Sequence, residues 1–389
     1  MEKEFEHIIK FIRELYNKPE GFIPLHAPVF NGNEKRYLEE CIDTTFVSSV
    51  GKFVDKFEEE IAKFTGANRA VSCVNGTNAL HLALMLVGVE RDTEVITQPV
   101  TFVATANAIA YCNAHPVFLD IDKDTLGLSP QKLSDWLKKN TRTISDNSTK
   151  QQLTINKVTN RRIAAVVPMH TFGHPCRIDE IIEVCNQYGL SVVEDAAESL
   201  GSFYKNKHTG TFGKIGVISF NGNKIVTTGG GGVILTNDVE LGRKIKHLTT
   251  QAKIPHQWEF FHDEIGYNYR MPNVNAAIGL AQMENIQKFI ASKRTIAKLY
   301  QQFFKSIGID YFTEPIDSVS NYWLNLIFFK NREERNDFLS YSNNNEVTTR
   351  PVWTLMHKLP MFCNEQTGNL ENSQWLEDCA VNIPSSAKL

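Results

Sequence analysis

Residues 69–89 read RAVSCVNGTNALHLALMLVGV, and this stretch decides the fold class. Residues 69–74 are apolar and rich in β-forming side chains, which predicts a short strand. Gly76 and Thr77 then open a run that has the apolar period of a helix. A strand, a tight turn and a helix in this order form the repeating unit of an α/β sheet.

The same alternation continues along the chain after this unit. Further strand patterns separated by helical patterns lie at residues 94–99, 115–122, 162–169 and 190–195. Strands that alternate with helices predict a mostly parallel sheet with helices on both faces. After about residue 204 the β segments become shorter, which predicts a mixed sheet with some antiparallel pairing.

Three parts are predicted along the chain. Residues 1–28 form an N-terminal helical segment, residues 29–284 a large α/β domain and residues 285–389 a smaller C-terminal α+β domain. A long helical pattern that begins at Asn273 is expected to connect the two domains. The polar segment 141–161 has no apolar period and is expected to be a surface excursion.

Composition excludes several classes of partner. The formal net charge is −3 and no block of basic residues occurs, which argues against nucleic-acid binding. No apolar run reaches the roughly 18 residues of a membrane span, and the N-terminus resembles no signal peptide. The odd number of scattered cysteines, without a C-x-x-C pair, predicts reduced packing residues in a cytosolic protein, and no metal site is expected. These cysteines are Cys41, Cys73, Cys112, Cys176, Cys185, Cys363 and Cys379.

A lysine occupies an unusual position in SFNGNKIVTTGGGGV, residues 219–233. Lys224 follows a β segment and precedes four glycines, and no acidic residue lies within ten positions on either side. Most lysines are solvated surface charges. Partial burial in this uncharged neighbourhood would instead favour the neutral amine, which can form an imine with an aldehyde. The glycines would allow the backbone to approach a bulky group closely or to adopt positive φ.

Three other features are predicted to lie with Lys224, at the carboxyl edge of the sheet where α/β proteins bind ligands. Asp195 ends a strand and could pair with a protonated heterocyclic nitrogen, although a helix N-cap is the common alternative. The turn at Gly76 and Thr77 offers amides to a phosphate, or is a plain turn. Phe102 could stack on a ring or belong to the core. Together they favour an enzyme that uses pyridoxal phosphate.

The sequence resembles the DegT/DnrJ/EryC1/StrS sugar aminotransferases from about Pro24 to the C-terminus. The resemblance is carried by FVDKFEEEIAKFTG, VNGTNALHLAL, TQPVTFVATANAI, VVEDAAESLGS, SFNGNKIVTTGGGG and GYNYRMPNVNAAIGLAQME. It implies fold type I of the pyridoxal-phosphate enzymes, which is the aspartate-aminotransferase fold. It also implies that Lys224 forms the Schiff base, Asp195 pairs with the pyridine nitrogen and Phe102 stacks on the ring. The residues that it places at the phosphate are Gly76, Thr77 and Ser219.

Other positions carry further implications of the same resemblance. Glu198 would lie beside the ring hydroxyl, where many family members have glutamine or histidine. Asn268 matches an asparagine that reaches across a homodimer interface to the partner's cofactor phosphate. Sugar dehydratases of this family carry histidine at the position of Lys224. The lysine therefore favours transamination, because a fixed amine can also move the proton.

PLHAPVFNGNE, TFVSSVGKFVDKFEEE, VPMHTFGHPCRID and TTRPVWTLMH resemble the LegC-like subgroup. That likeness implies an enzyme that aminates C4 of a UDP-linked 4-keto-6-deoxy-N-acetylhexosamine for bacillosamine or legionaminic acid synthesis. The resemblance would place His170, Arg350 and His357 near the sugar nucleotide, with Ser48 and Ser49 as further sugar contacts. A guanidinium such as that of Arg350 suits a diphosphate, whereas a lone histidine is more often structural.

The expected reaction is a ping-pong exchange in which glutamate supplies the amine and 2-oxoglutarate leaves before the keto sugar is aminated. The alternatives are another nucleotide-linked keto sugar (GDP-linked, dTDP-linked or a 3-keto sugar), a sugar dehydratase and a regulator that binds the cofactor without turnover. A Rossmann dehydrogenase would need G-x-G-x-x-G, and VNGTNAL lacks it. The G-x-x-x-x-G-K-[ST] string of nucleotide hydrolases does not occur either.

Overall fold

The computed structural model describes residues 2–145 and 152–389, and in them helices and strands alternate. The helices are α1 (Glu2–Leu15), α2 (Glu34–Asp43), α3 (Lys52–Thr65), α4 (Gly76–Leu86), α5 (Val103–Tyr111), α6 (Pro130–Asn140), α7 (Ile178–Gln187), α8 (Val239–Thr249), α9 (Asn273–Met283), α10 (Ile286–Ile307), α11 (Arg332–Asn344) and α12 (Glu371–Cys379). The strands are β1 (Arg69–Cys73), β2 (Glu94–Thr97), β3 (His115–Phe118), β4 (Thr141–Ser145), β5 (Gln152–Asn156), β6 (Ile163–Val167), β7 (Ser191–Asp195), β8 (Phe203–Tyr204), β9 (Lys207–His208), β10 (Ile215–Ser219), β11 (Gly232–Thr236), β12 (Lys253–Ile254), β13 (Phe261–His262), β14 (Asp310–Tyr311), β15 (Ser318–Val319), β16 (Asn325–Phe328), β17 (Arg350–Pro351) and β18 (Ala380–Ile383).

The central sheet has the strand order β1-β11-β10-β7-β6-β2-β3 among the described residues. The neighbours from β10 through β7, β6 and β2 to β3 are parallel. Strand β11 runs antiparallel to both β10 and β1. The prediction of an α/β fold with a mixed, mostly parallel central sheet is therefore confirmed.

Helices cover both faces of this sheet, as the apolar strands require. Every residue of β6 is buried, because successive side chains of a strand point to opposite faces and both faces are packed. Val166 lies in a core cluster with Leu133 of α6 and Ile181 of α7. Its neighbour Val167 lies in another cluster with Leu80 of α4. The carboxyl ends of the parallel strands therefore share one edge, which the helix N-termini adjoin.

The C-terminal elements form a second, smaller core around the sheet β14-β16-β18-β17. Ile8 of α1 packs in this core with Phe304 and Phe338, so the N-terminal helix joins the small domain. Helix α10 passes between the cores, since Phe289 packs in the large domain and Tyr300 in the small one. The boundaries at residues 28 and 284 stay predictions.

Among the described residues, some local features differ from those expected and others agree with them. The helical pattern from Asn273 is interrupted, because α9 ends at Met283 and α10 begins at Ile286. The polar segment 141–161 contains the antiparallel pair β4 and β5, while residues 146–151 lie outside the described part. All the cysteines are unpaired, and only Cys363 is exposed. Within the described ranges no helix is both long enough and apolar enough to span a bilayer.

Candidate active site

A cavity of about 390 Å³ opens at the carboxyl edge of the central sheet, where both domains contribute walls. It brings together most of the residues that the sequence singled out for the cofactor. These residues are Gly76, Thr77, Phe102, Asp195, Glu198, Ser219 and Lys224. They meet because β1, β7 and β10 end at the same edge and each passes into a turn that faces the cavity. We call this cavity the cofactor pocket.

Lys224 lies in the loop between β10 and β11, and its side chain is only 12% exposed. Its Nζ lies 3.1 Å from Glu198 Oε1 and 3.8 Å from the centre of the Trp323 ring. The following glycines have a steric reason. A Cβ on Gly232 would lie 2.6 Å from the carbonyl carbon of Asn75, so only glycine lets β11 pass the turn before α4.

Asp195 ends β7 with its carboxylate buried against the pocket. The Thr105 hydroxyl donates to Oδ2 at 2.6 Å, and the amide of Ala197 donates to Oδ1 at 3.1 Å. Burial raises the pKa of Asp195, and these hydrogen bonds oppose the rise. A desolvated carboxylate at this position is suited to a cationic ring nitrogen, because the cation would compensate its charge.

Glu198 is the other buried carboxylate of the pocket. Its Oε1 accepts a hydrogen bond from Lys224, and its Oε2 accepts one at 2.9 Å from the amide of Phe172. Burial raises the pKa of Glu198 to about 7, although the charge of Lys224 opposes this rise. Phe172 has a φ of 56°, a backbone strain that presents its amide to Glu198. A carboxyl with this pKa can be either protonated or ionised near neutral pH.

Glu198→Gln should change how stability depends on pH. The folded pKa is raised from 4.5 to about 7, so Glu198 contributes stability below pH 4.5 that is lost as pH rises through 7. Glutamine does not titrate. We expect the free energy of unfolding of the wild type, minus that of the variant, to fall between pH 4.5 and 7. Urea unfolding of cofactor-free protein measures it, and a pH-independent difference would contradict the assignment.

The N-terminus of α4 forms a part of the pocket that is suited to a phosphate. Gly76 is the first residue of α4, and the Asn75 side chain caps this helix by accepting from the amide of Asn78 at 2.8 Å. The first-turn amides of Gly76 and Thr77 have no helical acceptor and carry the positive end of the dipole. A Cβ on Gly76 would lie 3.1 Å from Ser219 Cβ, so the glycine leaves room beside the serine hydroxyl.

The arrangement fits pyridoxal phosphate. One pocket is lined by the turn at Gly76 and Thr77, whose amides can bind an anion, by the carboxylate of Asp195 and by Lys224, whose amine can form an imine. Phe102 precedes α5 and contributes an aromatic face, with its side chain 53% exposed towards the open side.

Some residues expected at the substrate lie elsewhere. His170 is fully buried, with Nε2 3.0 Å from Glu194 Oε2 and Nδ1 accepting from the amide of Cys176 at 3.2 Å. Both ring nitrogens are engaged within the protein, which corrects the expected sugar contact, because burial and satisfied hydrogen bonds leave no group for a ligand. His357 lies in a short 3₁₀ turn and does not line the pocket, and burial lowers its pKa.

Three further residues that were expected at the site lie outside the pocket. Ser48 and Ser49 lie in a loop that does not line the pocket, and the Ser48 carbonyl accepts from the amide of Asn273. Asn268 is exposed and lies outside its own chain's pocket, with Oδ1 accepting from Arg270.

Arg350 lines a neighbouring cavity of about 570 Å³. Asn223, Trp323 and Trp353 line both this cavity and the cofactor pocket, so the two adjoin. The Arg350 Nη1 donates to the side chain of Asn343 and to the carbonyl of Thr349. The guanidinium is therefore held at the rim of a space that is contiguous with the pocket.

Sequence reasoning missed several pocket residues, among them Thr105, Asn223, Trp323 and Trp353. Thr105 lies three residues after Phe102, and this helical spacing was the one local signal that could have identified it. Trp323 and Trp353 give no such signal, because they come from the small domain and line the pocket only in the tertiary structure, while Asn223 lies directly before Lys224 but carries no pattern of its own.

Fold and pocket define a transferase of fold type I that uses pyridoxal phosphate. The chain belongs to the DegT/DnrJ/EryC1/StrS aminotransferase family, whose profile matches residues 29–389.

Similar proteins include two GDP-perosamine synthases. That of Escherichia coli O157:H7 is 38% identical over 95% of this chain and 94% of its own, and that of Vibrio cholerae is 35% identical over 93% and 94%. The crystal structure of the aminotransferase TlmJ from Streptoalloteichus hindustanus superposes with a TM-score of 0.83, at 26% identity and 94% coverage of both chains. These similarities confirm the family and the cofactor, but not the LegC-like subgroup.

Proposed function

We propose that the protein moves an amino group from glutamate to C4 of a GDP-linked 4-keto-6-deoxy hexose. One observation carries the proposal of amino transfer: the amine of Lys224 lies 3.1 Å from Glu198 in the pocket that also contains Asp195. Two relatives of similar length that are GDP-perosamine synthases support the nucleotide. They favour the GDP-linked alternative over the UDP-linked N-acetyl sugar expected from the sequence.

Different residues of the pocket would bind different parts of the cofactor. Pyridoxal phosphate supplies an electrophilic carbon and a ring that withdraws electrons. The amides of Gly76 and Thr77, with the Ser219 hydroxyl, would bind the phosphate. Asp195 would hold a proton on the ring nitrogen, since Thr105 and Ala197 fix its orientation.

Lys224 and Glu198 would manage the protons of the reaction. The Lys224 amine is placed to take a proton from the substrate carbon on one side and to return it on the other. Glu198 lies within hydrogen-bond distance of that amine, and burial raises the pKa of Glu198 to about 7, so this carboxyl would be suited to accept or return a proton beside the amine. The walls formed by Trp323 and Trp353 would limit the access of water.

The nucleotide would extend into the cavity that Arg350 lines. This cavity adjoins the cofactor pocket, so a substrate could place its hexose near Lys224 and its diphosphate near the guanidinium. Arg350→Gln would raise the KM for the sugar nucleotide and leave the reaction with glutamate unchanged, which steady-state kinetics with each substrate measures.

A single-turnover experiment tests the proposed function. The enzyme is converted with glutamate, which should bleach its visible absorbance, and the glutamate is removed. GDP-, UDP- and dTDP-linked 4-keto sugars are then added separately. We expect the GDP-linked sugar to restore the absorbance at least about tenfold faster than the UDP-linked N-acetyl sugar. The reverse preference would overturn the choice of nucleotide, and absence of bleaching would overturn amino transfer.

The position of Asn268 supports a homodimer in which this residue reaches the cofactor of the partner subunit. Its exposure, away from its own pocket, is what a residue that serves a partner's phosphate requires. We expect Asn268→Ala to lose cofactor faster during dialysis, because one hydrogen bond to a charged group is removed. Asn369→Ala, at another exposed asparagine, is the control. Equal retention by Asn268→Ala and wild type, or a monomer in solution, would refute the role.

A further inference from the structure

The amine of Lys224 has a second neighbour that the proposed reaction does not use. The Trp323 ring lies with its centre 3.8 Å from Nζ, on the small-domain side of the pocket. A cation over an indole face is stabilised by the ring quadrupole, and more so where water is excluded. Trp323 is almost fully buried, so this contact is largely desolvated.

Several hydrogen bonds fix the position of Trp323. Its indole Nε1 donates at 2.7 Å to the carbonyl of Asn223, which is the residue just before Lys224. Its amide donates to Asn321 Oδ1 at 2.8 Å. The Nδ2 of Asn321 in turn donates to the carbonyl of Glu198 at 2.9 Å. Trp323 is therefore linked to the residue before Lys224 and, through Asn321, to Glu198, which accepts a hydrogen bond from the Lys224 amine.

A buried lysine anchors the same segment from behind. Lys293 of α10 is 1% exposed, and its Nζ donates at 3.2 Å to the carbonyl of Trp323 and also to the carbonyl of Ser385. Burial lowers the pKa of Lys293 to about 7. Burying an amine is costly, so its position is best explained by the two main-chain carbonyls that it holds together.

We propose that Trp323, anchored by Lys293, is a positioning residue that holds the Lys224 amine whenever that amine is not joined to the cofactor. Glu198 from the large domain and Trp323 from the small domain form its two walls. This inference rests on the proposed amino transfer. With the cofactor bound, Lys224 would be released in the glutamate half-reaction: glutamate would leave its nitrogen, Cα proton and electron pair with the cofactor, and water would supply the keto oxygen of 2-oxoglutarate.

The position of that half-reaction equilibrium measures the contribution of Trp323. Holoenzyme is titrated with mixtures of glutamate and 2-oxoglutarate, and the ratio at half-bleaching is read from the absorbance. Trp323→Leu removes the support of the released amine. We expect it to raise the required glutamate ratio about fivefold to thirtyfold. Trp323→Phe keeps an aromatic face and should give a smaller rise.

Two further variants separate positioning from folding. Lys293→Met should raise the ratio in the same direction, because the anchor of Trp323 is lost. Trp258→Leu changes a tryptophan that is 72% exposed and should leave the ratio unchanged. A purely structural role would lower the melting temperature without moving the ratio.

An unchanged or lowered ratio in Trp323→Leu would overturn the inference, while the proposed function would stand if the wild type is bleached. Failure of glutamate to bleach the wild type would refute the proposed function itself. An unchanged ratio in Lys293→Met alone would refute the anchoring role of Lys293. If that variant does not fold, the Trp323 variants still decide the inference.

Discussion

Lys224→Ala is expected to remove the visible absorbance of the holoenzyme and to lower amino transfer on the order of 10⁴-fold or more. The amine of Lys224 is the proposed nucleophile, and Lys224 lines the same pocket as Gly76, Thr77 and Asp195. Alanine leaves neither a nucleophile nor a group that can move the substrate proton. Absorbance spectra and single-turnover rates measure both losses.

A neighbouring lysine provides the control for this variant. Lys214 is exposed just before β10, outside the pocket, so Lys214→Ala should keep both absorbance and turnover. Borohydride reduction of the wild type followed by peptide mass analysis should locate the cofactor on Lys224. Normal absorbance in Lys224→Ala, or a label on another lysine, would show that this amine does not bind the cofactor.

Asp195→Asn should separate electron withdrawal from cofactor attachment. Asparagine keeps the size of the side chain but removes the charge that would hold a proton on the ring nitrogen. We expect turnover to fall roughly 10²-fold to 10³-fold, the usual effect of removing a preorganised charge. The visible absorbance should persist, because Lys224 is intact. Single-turnover rates with saturating glutamate measure the loss, and cofactor content measured by absorbance excludes incomplete loading.

The control for Asp195→Asn is Asp135→Asn, the same change at an exposed position on α6. It should leave the single-turnover rate unchanged. Full activity in Asp195→Asn would mean that its carboxylate does not face the ring nitrogen. Loss of the absorbance would mean instead that Asp195 acts in binding the cofactor.

The local chemistry of the pocket could be predicted from the sequence because each element is short-range. The strand, turn and helix at residues 69–89 form β1 and α4, with Gly76 at the helix start. Asp195 and Ser219 end strands, and parallel strands place such residues at one edge. Periodicity and turn chemistry predicted the positions of Asp195 and Gly76, whereas the place of Ser219 at the phosphate was implied by the family resemblance.

Substrate residues were harder to predict, because the same residue type serves structure and function. His170 ends a strand region as expected, but Glu194 and Cys176 bind its ring, so it lies in the interior. Its burial depends on Cys176, in the segment after β6, and on Glu194 of β7, which lies 24 positions away in sequence. Arg350 was placed beside the pocket only when the small domain packed against the large one.

The sequence by itself determined an α/β chain with a lysine, an aspartate and a glycine turn at one sheet edge, because the strand, turn and helix signals are local and parallel strands end at a shared edge. Only the tertiary structure decided that Trp323 lies against Lys224, that Lys293 holds Trp323 and that α1 joins the small domain. Those contacts join residues about 30 to 300 positions apart. These contacts are determined by how the cores of the two domains pack together, and no local sequence pattern predicts that packing.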